Sequence, residues 1–344
     1  MEQKGHFLTL TSLKGLFILI IALHNTLAVT PLFSNIPGTA FIILFGGLMG
    51  NSMFFILSGF LLSVGYRNRI QNQHITFQEF LLRRLKKLYP MYIISNAAAL
   101  IIEILRYGVS AINIERLIFA ILLQGGSIGP SPYNRPTWFL SALFVCYILF
   151  FFVTYFAKTN THYISHITIG VIVGYTLMVT NFDLPLLSAG CGTAYMNFFL
   201  GCILAEVYPR ISQKFHRWLQ PLFLILIPTL AYLLLSFGVE LIAGDIKICF
   251  AFVLCPMILY LSLVKGPCSK ILRQKCFIML GEISSSIFFW HLVFYFAFCD
   301  VYAFFTQQGI QEKQYLLYFA LMVVFSGIMS KCIGRKRNRN VQSV

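Results

Sequence analysis

The chain has 344 residues, of which 58% are hydrophobic and only 11% charged, and its mean hydropathy is +0.79. That balance excludes a soluble globular fold, in which about a quarter of the residues are charged. The formal charge of +15, from 26 Lys and Arg against 11 Asp and Glu, points either to nucleic acid or to a membrane protein whose basic loops lie on one side.

A spanning helix needs about 20 apolar residues, and the sequence predicts ten such stretches: 13–32, 40–65, 88–105, 138–157, 163–180, 190–208, 218–237, 246–264, 282–304 and 315–333. No small-residue cleavage site follows the first stretch in the register of a signal peptide, so it reads as a retained span. Residues 114–123 are apolar but too short to cross, and they predict an interfacial or re-entrant segment. The nine cysteines contain no C-x-x-C pair and lie mostly inside apolar runs, as free buried thiols do. In the second span Gly46, Gly47, Gly50, Ser58, Gly59 and Ser63 are small enough for helices to approach closely.

Counting basic residues in alternating loops sets the orientation. With the N-terminus cytoplasmic, 21 of the 26 cations fall inside, and only Arg106, Arg116, Arg135, Lys247 and Lys313 fall outside. The expectation is an all-α membrane protein with both termini cytoplasmic, one membrane domain over 1–334 and a short basic tail over 335–344 facing anionic lipid. Scattered over membrane-edge segments, the basic residues form no aromatic-interleaved nucleic-acid surface.

Polar groups within the apolar runs are the candidates for chemistry, because an ionised group at a helix centre costs about 2.5–3.5 kcal/mol on insertion scales. Lys14 stands at the expected cytoplasmic mouth of the first span, and His24 lies about 15 Å deeper at 1.5 Å per residue. A histidine there either bonds a neighbouring helix or, held neutral, takes a proton from a hydroxyl. Between the second and third spans, 80–92 carries Arg83, Arg84, Lys86 and Lys87, which suit lipid phosphates or a phosphorylated cytosolic substrate. Pro90, flanked by Tyr89 and Tyr92, is expected to fix the angle at which the third helix enters. Glu103, near the outer end of that helix, either orients a histidine or the acceptor, or pairs with Arg106. The Leu-Ser-Gly at 57–59 lacks the pattern of a nucleophile elbow, so a serine acyl-enzyme is not expected.

These segments together resemble the acyltransferase 3 family of integral-membrane O-acyltransferases. Phe-Phe-Ile-Leu-Ser-Gly-Phe-Leu at 54–61 is similar to the family's second-helix signature. Thr-Trp-Phe-Leu-Ser-Ala-Leu-Phe-Val-Cys-Tyr at 137–147 is similar to its Trp-led fourth span, and Leu-Gly-Glu-Ile-Ser-Ser-Ser-Ile-Phe-Phe-Trp-His at 280–291 to its late motif. The resemblance implies transfer of an acyl group, acetyl being favoured, from acyl-CoA in the cytosol to a hydroxyl of a cell-surface or lipid-linked carbohydrate. It implies that His24 is the general base and that Arg84 and Lys87, with Arg83 and Lys14 beside them, meet the CoA phosphates. Asn25, Ser58 and Trp138 become candidate oxyanion or substrate contacts, and His291 either a second imidazole of the site or a packing residue. No metal is implied, and the setting expected is a multi-pass protein of the bacterial plasma membrane. Two departures stand out. Lys87 occupies a position where the family has Arg, and Lys14 is ten rather than eleven residues before His24. Ten steps of about 100° leave those two side chains about 80° apart unless a bulge intervenes. The rival reading is a transporter or flippase for a glycan or small molecule, in which His24 is a proton or substrate site.

Overall fold

The computed structural model describes residues 2–30, 32–33, 37–180, 182, 184–211, 213–237 and 243–341. Among them no strand forms, as hydrocarbon demands of an open chain: only helices satisfy their backbone groups internally. Fourteen α-helices occur: α1 (Glu2–Leu27), α2 (Pro37–Gln71), α3 (Phe77–Tyr107), α4 (Ile114–Ile121), α5 (Trp138–Tyr155), α6 (Asn160–Thr180), α7 (Ala189–Val207), α8 (Gln213–Phe237), α9 (Ala243–Cys249), α10 (Cys255–Leu263), α11 (Pro267–Leu272), α12 (Lys275–Glu282), α13 (Ser284–Thr306) and α14 (Glu312–Val341). Ten segments are long and apolar enough to cross a membrane. They match the ten predicted stretches one for one, the eighth being α9 and α10 joined by a π-helical turn at Phe250–Leu254.

The start of the third helix differs from expectation for a physical reason. The third helix begins at Phe77, well before 88, because Thr76 caps it: its hydroxyl accepts from Glu79 N at 3.3 Å while the Glu79 carboxylate accepts from Thr76 N at 3.1 Å. The four-cation run is therefore part of α3 itself, not a loop. Pro90 lies inside the helix without ending it. At the other end of the chain the tenth span ends at Cys332 and α14 continues as helix to Val341 through the basic residues; residues 342–344 lie outside the described residues.

Backbone contact at glycine holds the centre together. A Cβ on Gly59 of α2 would fall on the Phe198 carbonyl of α7, and one on Gly201 of α7 would fall on the Ile56 carbonyl of α2. On its other flank α2 lies against α1, where Gly46 and Gly50 face Ile20, Ile21 and His24. Gly15 of α1 meets the backbone of Gly281 in α12 in the same way. Without a hydrophobic drive between helices in lipid, such close packing is what associates them.

The short apolar segment is re-entrant. After α3 ends, α4 turns back into the bundle. Carbonyls of its last turn accept from Tyr92 (to Ala120 O, 2.7 Å) and Tyr89 (to Ile121 O, 2.8 Å), where a helix end has acceptors to spare. Tyr89 and Tyr92 thus secure this hairpin instead of setting a helix angle at Pro90. Irregular backbone follows to Asn134, which is 2% exposed. Its amide donates to Ser95 Oγ at 3.1 Å and Phe289 O at 2.8 Å, and its backbone N donates to Asn96 Oδ1 at 3.0 Å. Non-helical chain at this depth is tolerated because protein, not lipid, surrounds it.

Gly59→Ala is expected to lower stability by about 1–3 kcal/mol through overpacking. Gly65→Ala, where a Cβ meets nothing within 4 Å, is expected to be neutral or to gain up to about 1 kcal/mol. Thermal unfolding of the detergent-solubilised variants compares the two, and equal midpoints would contradict backbone contact between α2 and α7.

Candidate active site

His24 occupies the last turn of α1, deep in the span as expected, but Lys14 does not stand at its mouth. The reason is the early start of α1: the apolar span runs Phe7–Leu27, so Lys14 already lies two turns inside it. Among the described residues α1 is α-helical throughout, with no bulge between Lys14 and His24. The two side chains therefore diverge, as ten steps require, and each finds its own surroundings.

His24 faces α2. Its Nδ1 lies 3.1 Å from the carbonyl oxygen of Ile42. A carbonyl only accepts, so Nδ1 carries the proton of the neutral ring and Nε2 keeps the lone pair. That nitrogen rests against Gly47: a Cβ there would collide with His24 Nε2. Next to the ring is a cavity of about 420 Å³, lined by Ile21, His24 and Asn25 of α1, by Leu44, Gly47, Leu48 and Asn51 of α2, by Pro136 and Trp138 at the start of α5, and by Phe288 of α13. Among the described residues no charged side chain lines it. A neutral imidazole nitrogen beside a small chamber walled by amides and apolar side chains in about equal part is suited to accept a proton from a hydroxyl.

Several expected contributors gather here. Asn25 and Trp138 line the cavity with His24. His291 stands behind Asn25, its Nε2 3.0 Å from Asn25 Nδ2. Asn51 was not anticipated. The signal that marks it is its place four residues after Gly47, on the same face of an otherwise apolar helix. Ser58 does not reach the cavity, and its hydroxyl donates to Phe54 O of its own helix at 2.7 Å. Glu103 is also elsewhere. It pairs not with Arg106 but with Arg116, by two bonds of 2.8 and 3.0 Å. Arg116 in turn donates to Ser131 O at 2.9 Å and Pro132 O at 3.2 Å, so Glu103 anchors the re-entrant hairpin. Arg106 is taken by Asp300 at 2.7 Å.

The basic end of α3 forms a second centre. Arg83, Lys86 and Lys87 are exposed, whereas Arg84 turns inward. Its guanidinium lies 4.2 Å from the Tyr66 ring centroid, 5.5 Å from that of Phe80 and 6.0 Å from that of Tyr147. Stacking of this kind holds the fork without using its N–H groups, and Nε and Nη2 are buried with no hydrogen-bond partner. Buried donors on a cation normally find acceptors, so this side chain is prepared for an anion. Lys14, half-buried, lies close enough to Lys87 for the two charges to repel. Two ammonium groups brought together by different helices make a field that an anion relieves.

Residues 9–331 match the profile of the acyltransferase 3 family, described as an acyltransferase domain. No match was found among curated proteins or among solved structures.

Because Glu103 and Arg116 act as one unit, Glu103→Ala and Arg116→Ala are each expected to destabilise the protein by about 1.5–3 kcal/mol, the worth of charge-assisted bonds. The double variant should be little worse than either single one. Thermal unfolding in detergent measures all three, and fully additive losses would show that the pair is not coupled.

Proposed function

Since the chain belongs to the acyltransferase 3 family and is a multi-pass membrane acyltransferase, we propose that it transfers an acetyl group from cytosolic acetyl-CoA to a hydroxyl of a cell-surface or lipid-linked carbohydrate, with His24 as general base. The observation that carries this reading is the His24 ring: Nδ1–H is committed to Ile42 O, and Nε2 is left as a base at the wall of the cavity.

In this scheme the basic end of the bundle faces the cytosol, in agreement with the loop charges. Arg84, Lys87 and Lys14 receive the CoA phosphates, with Arg83 on the outer surface of the same helix; Arg84 offers a fork to the phosphate oxygens and the lysines point charges. Lys14 and His24, ten residues apart on one helix, are separated by about 15 Å of rise, a length comparable with an extended pantetheine arm. The thioester then lies in the cavity while the phosphates remain at the cations.

His24 Nε2 takes the proton of the acceptor hydroxyl as its oxygen attacks the thioester carbonyl. The carbonyl π electrons move to oxygen, and Asn25 and Trp138 line the chamber in which that charge develops. Collapse of the adduct breaks the carbon–sulfur bond, and the departing CoA thiolate takes the proton held by His24. The products are an O-acetyl ester and CoA, and the imidazole is neutral again.

The test is incorporation of labelled acetyl from acetyl-CoA into the glycans of cells expressing the protein. His24→Ala is expected to reduce the rate by about 10²–10⁴-fold. Arg84→Ala should raise KM for acetyl-CoA by about ten- to a hundredfold with kcat little changed, as expected when charge-assisted bonds are lost from binding alone. Normal labelling in both variants would defeat the assignment. Gly47→Ala, which places a methyl group on Nε2, should approach the loss of His24→Ala while Gly65→Ala retains full activity.

A further inference from the structure

We infer that His291 is a positioning residue: through a fixed tautomer it orients the Asn25 amide toward the oxyanion that forms beside His24. The inference rests on the reading of His24 as the base of an acyl transfer.

The hydrogen-bond partners of His291 determine which nitrogen is protonated. Nδ1 lies 3.0 Å from Ile287 O and 2.9 Å from Phe288 O, both carbonyls of its own helix. Carbonyls offer only lone pairs, so Nδ1 must be the donor. In the neutral ring Nε2 is then an acceptor, and the group facing it at 3.0 Å is Asn25 Nδ2. This settles the Asn25 amide as well: nitrogen points to the imidazole and oxygen away. One of the two N–H bonds of Asn25 is committed to His291, and its second remains for the cavity that Asn25 lines.

The same arrangement removes His291 from proton transfer to substrate. Its ring is fully buried, it is not among the residues lining the cavity, and both of its nitrogens are engaged. Its backbone is fixed too, since His291 O accepts from Tyr318 OH at 2.9 Å. Nearby, Thr26 Oγ1 and Tyr315 OH are 2.6 Å apart, tying the residue after Asn25 to α14. An amide held at one N–H by a rigid acceptor is preorganised, and a donor aimed in advance at developing charge loses nothing to reorientation during the reaction.

His24 and His291 thus share one device with different outcomes. Each ring gives Nδ1–H to backbone carbonyl, which makes Nε2 basic. At His24 that nitrogen adjoins the cavity and serves as base; at His291 it faces an amide and serves as an anchor.

The experiment combines turnover with nuclear magnetic resonance on the full-length protein in nanodiscs. Thioester cleavage of acetyl-CoA is measured for Asn25→Ala, His291→Ala, His291→Gln and Asn25→Ala/His291→Ala, with His24→Ala as reference. Asn25→Ala is expected to lose about 10²–10³-fold in kcat, the usual effect of one oxyanion donor, with KM for acetyl-CoA within about twofold. His291→Ala should lose at least about tenfold in kcat, as misaligned catalytic groups do, and the double variant should lose no more than Asn25→Ala alone. His291→Gln, whose side-chain oxygen can accept from Asn25, should recover most of the loss. In protein labelled with ¹⁵N-histidine, His291 should show a protonated Nδ1 and a bare Nε2 whose resonance moves in Asn25→Ala. Multiplicative losses in the double variant, a protonated Nε2, or His291→Gln no better than His291→Ala would each overturn the proposal. If the unaltered protein and His24→Ala cleave acetyl-CoA alike, the transfer reading fails instead, and the resonance measurement still decides whether His291 holds Asn25.

Discussion

Hydrocarbon offers a polar group no water, so every backbone and side-chain donor within it must find a partner in the protein. The bundle is organised by that constraint. It forces the chain into helices, and it makes each departure from helix depend on a named side chain. The re-entrant hairpin stands because Tyr89 and Tyr92 cap α4, because Asn134 and Asn96 exchange bonds with backbone, and because Arg116 closes its two arms on Glu103. The same rule sets the chemistry of both histidines: each gives one nitrogen to a carbonyl and has the other defined as a lone pair. Exceptions include Trp290 Nε1, Arg67 Nε and Arg84, and the last leaves two donors of one stacked guanidinium open at the basic end, a place suited to an anion.

The ten spans were legible because apolar length is a one-dimensional property. The re-entrant segment was legible for the same reason, being apolar but short. What was not legible was register. The start of α3 was misjudged because the charged residues after Thr76 masked the helix, although Thr76 and Glu79 carry the spacing of a capping box. With that start hidden, the four cations read as a loop; the early start of α1, equally hidden, made Lys14 read as a guard at a mouth rather than a cation well inside a span.

Within the site, residues whose role depends on one helix were easier to place than those whose role depends on two. His24, with Asn25 beside it, stood out as a polar interruption of an apolar run. The partner of Glu103 did not: Arg106 was the near neighbour in sequence, whereas Arg116 is brought to it only by the fold-back of α4. Ser58 shares a motif with Gly59, but the two face different directions, the hydroxyl to its own helix and the glycine to α7. His291 was visible as an imidazole, yet its contact with Asn25 joins residues 266 positions apart, which no periodicity encodes.

The glycines of α2 have one more consequence. Because α2 touches α1 through Gly46, Gly47 and Gly50, the part of the cavity wall that seats the His24 ring is backbone at Gly47 and has no side chain there to shorten. Room for a bulkier acyl group or acceptor can be made at Trp138 and Phe288, whose large rings line the same cavity. The contact that seats the base is thus separate from the rings that set the gauge, and exchanging those two aromatic residues alters the room of the chamber without touching the seat of the imidazole.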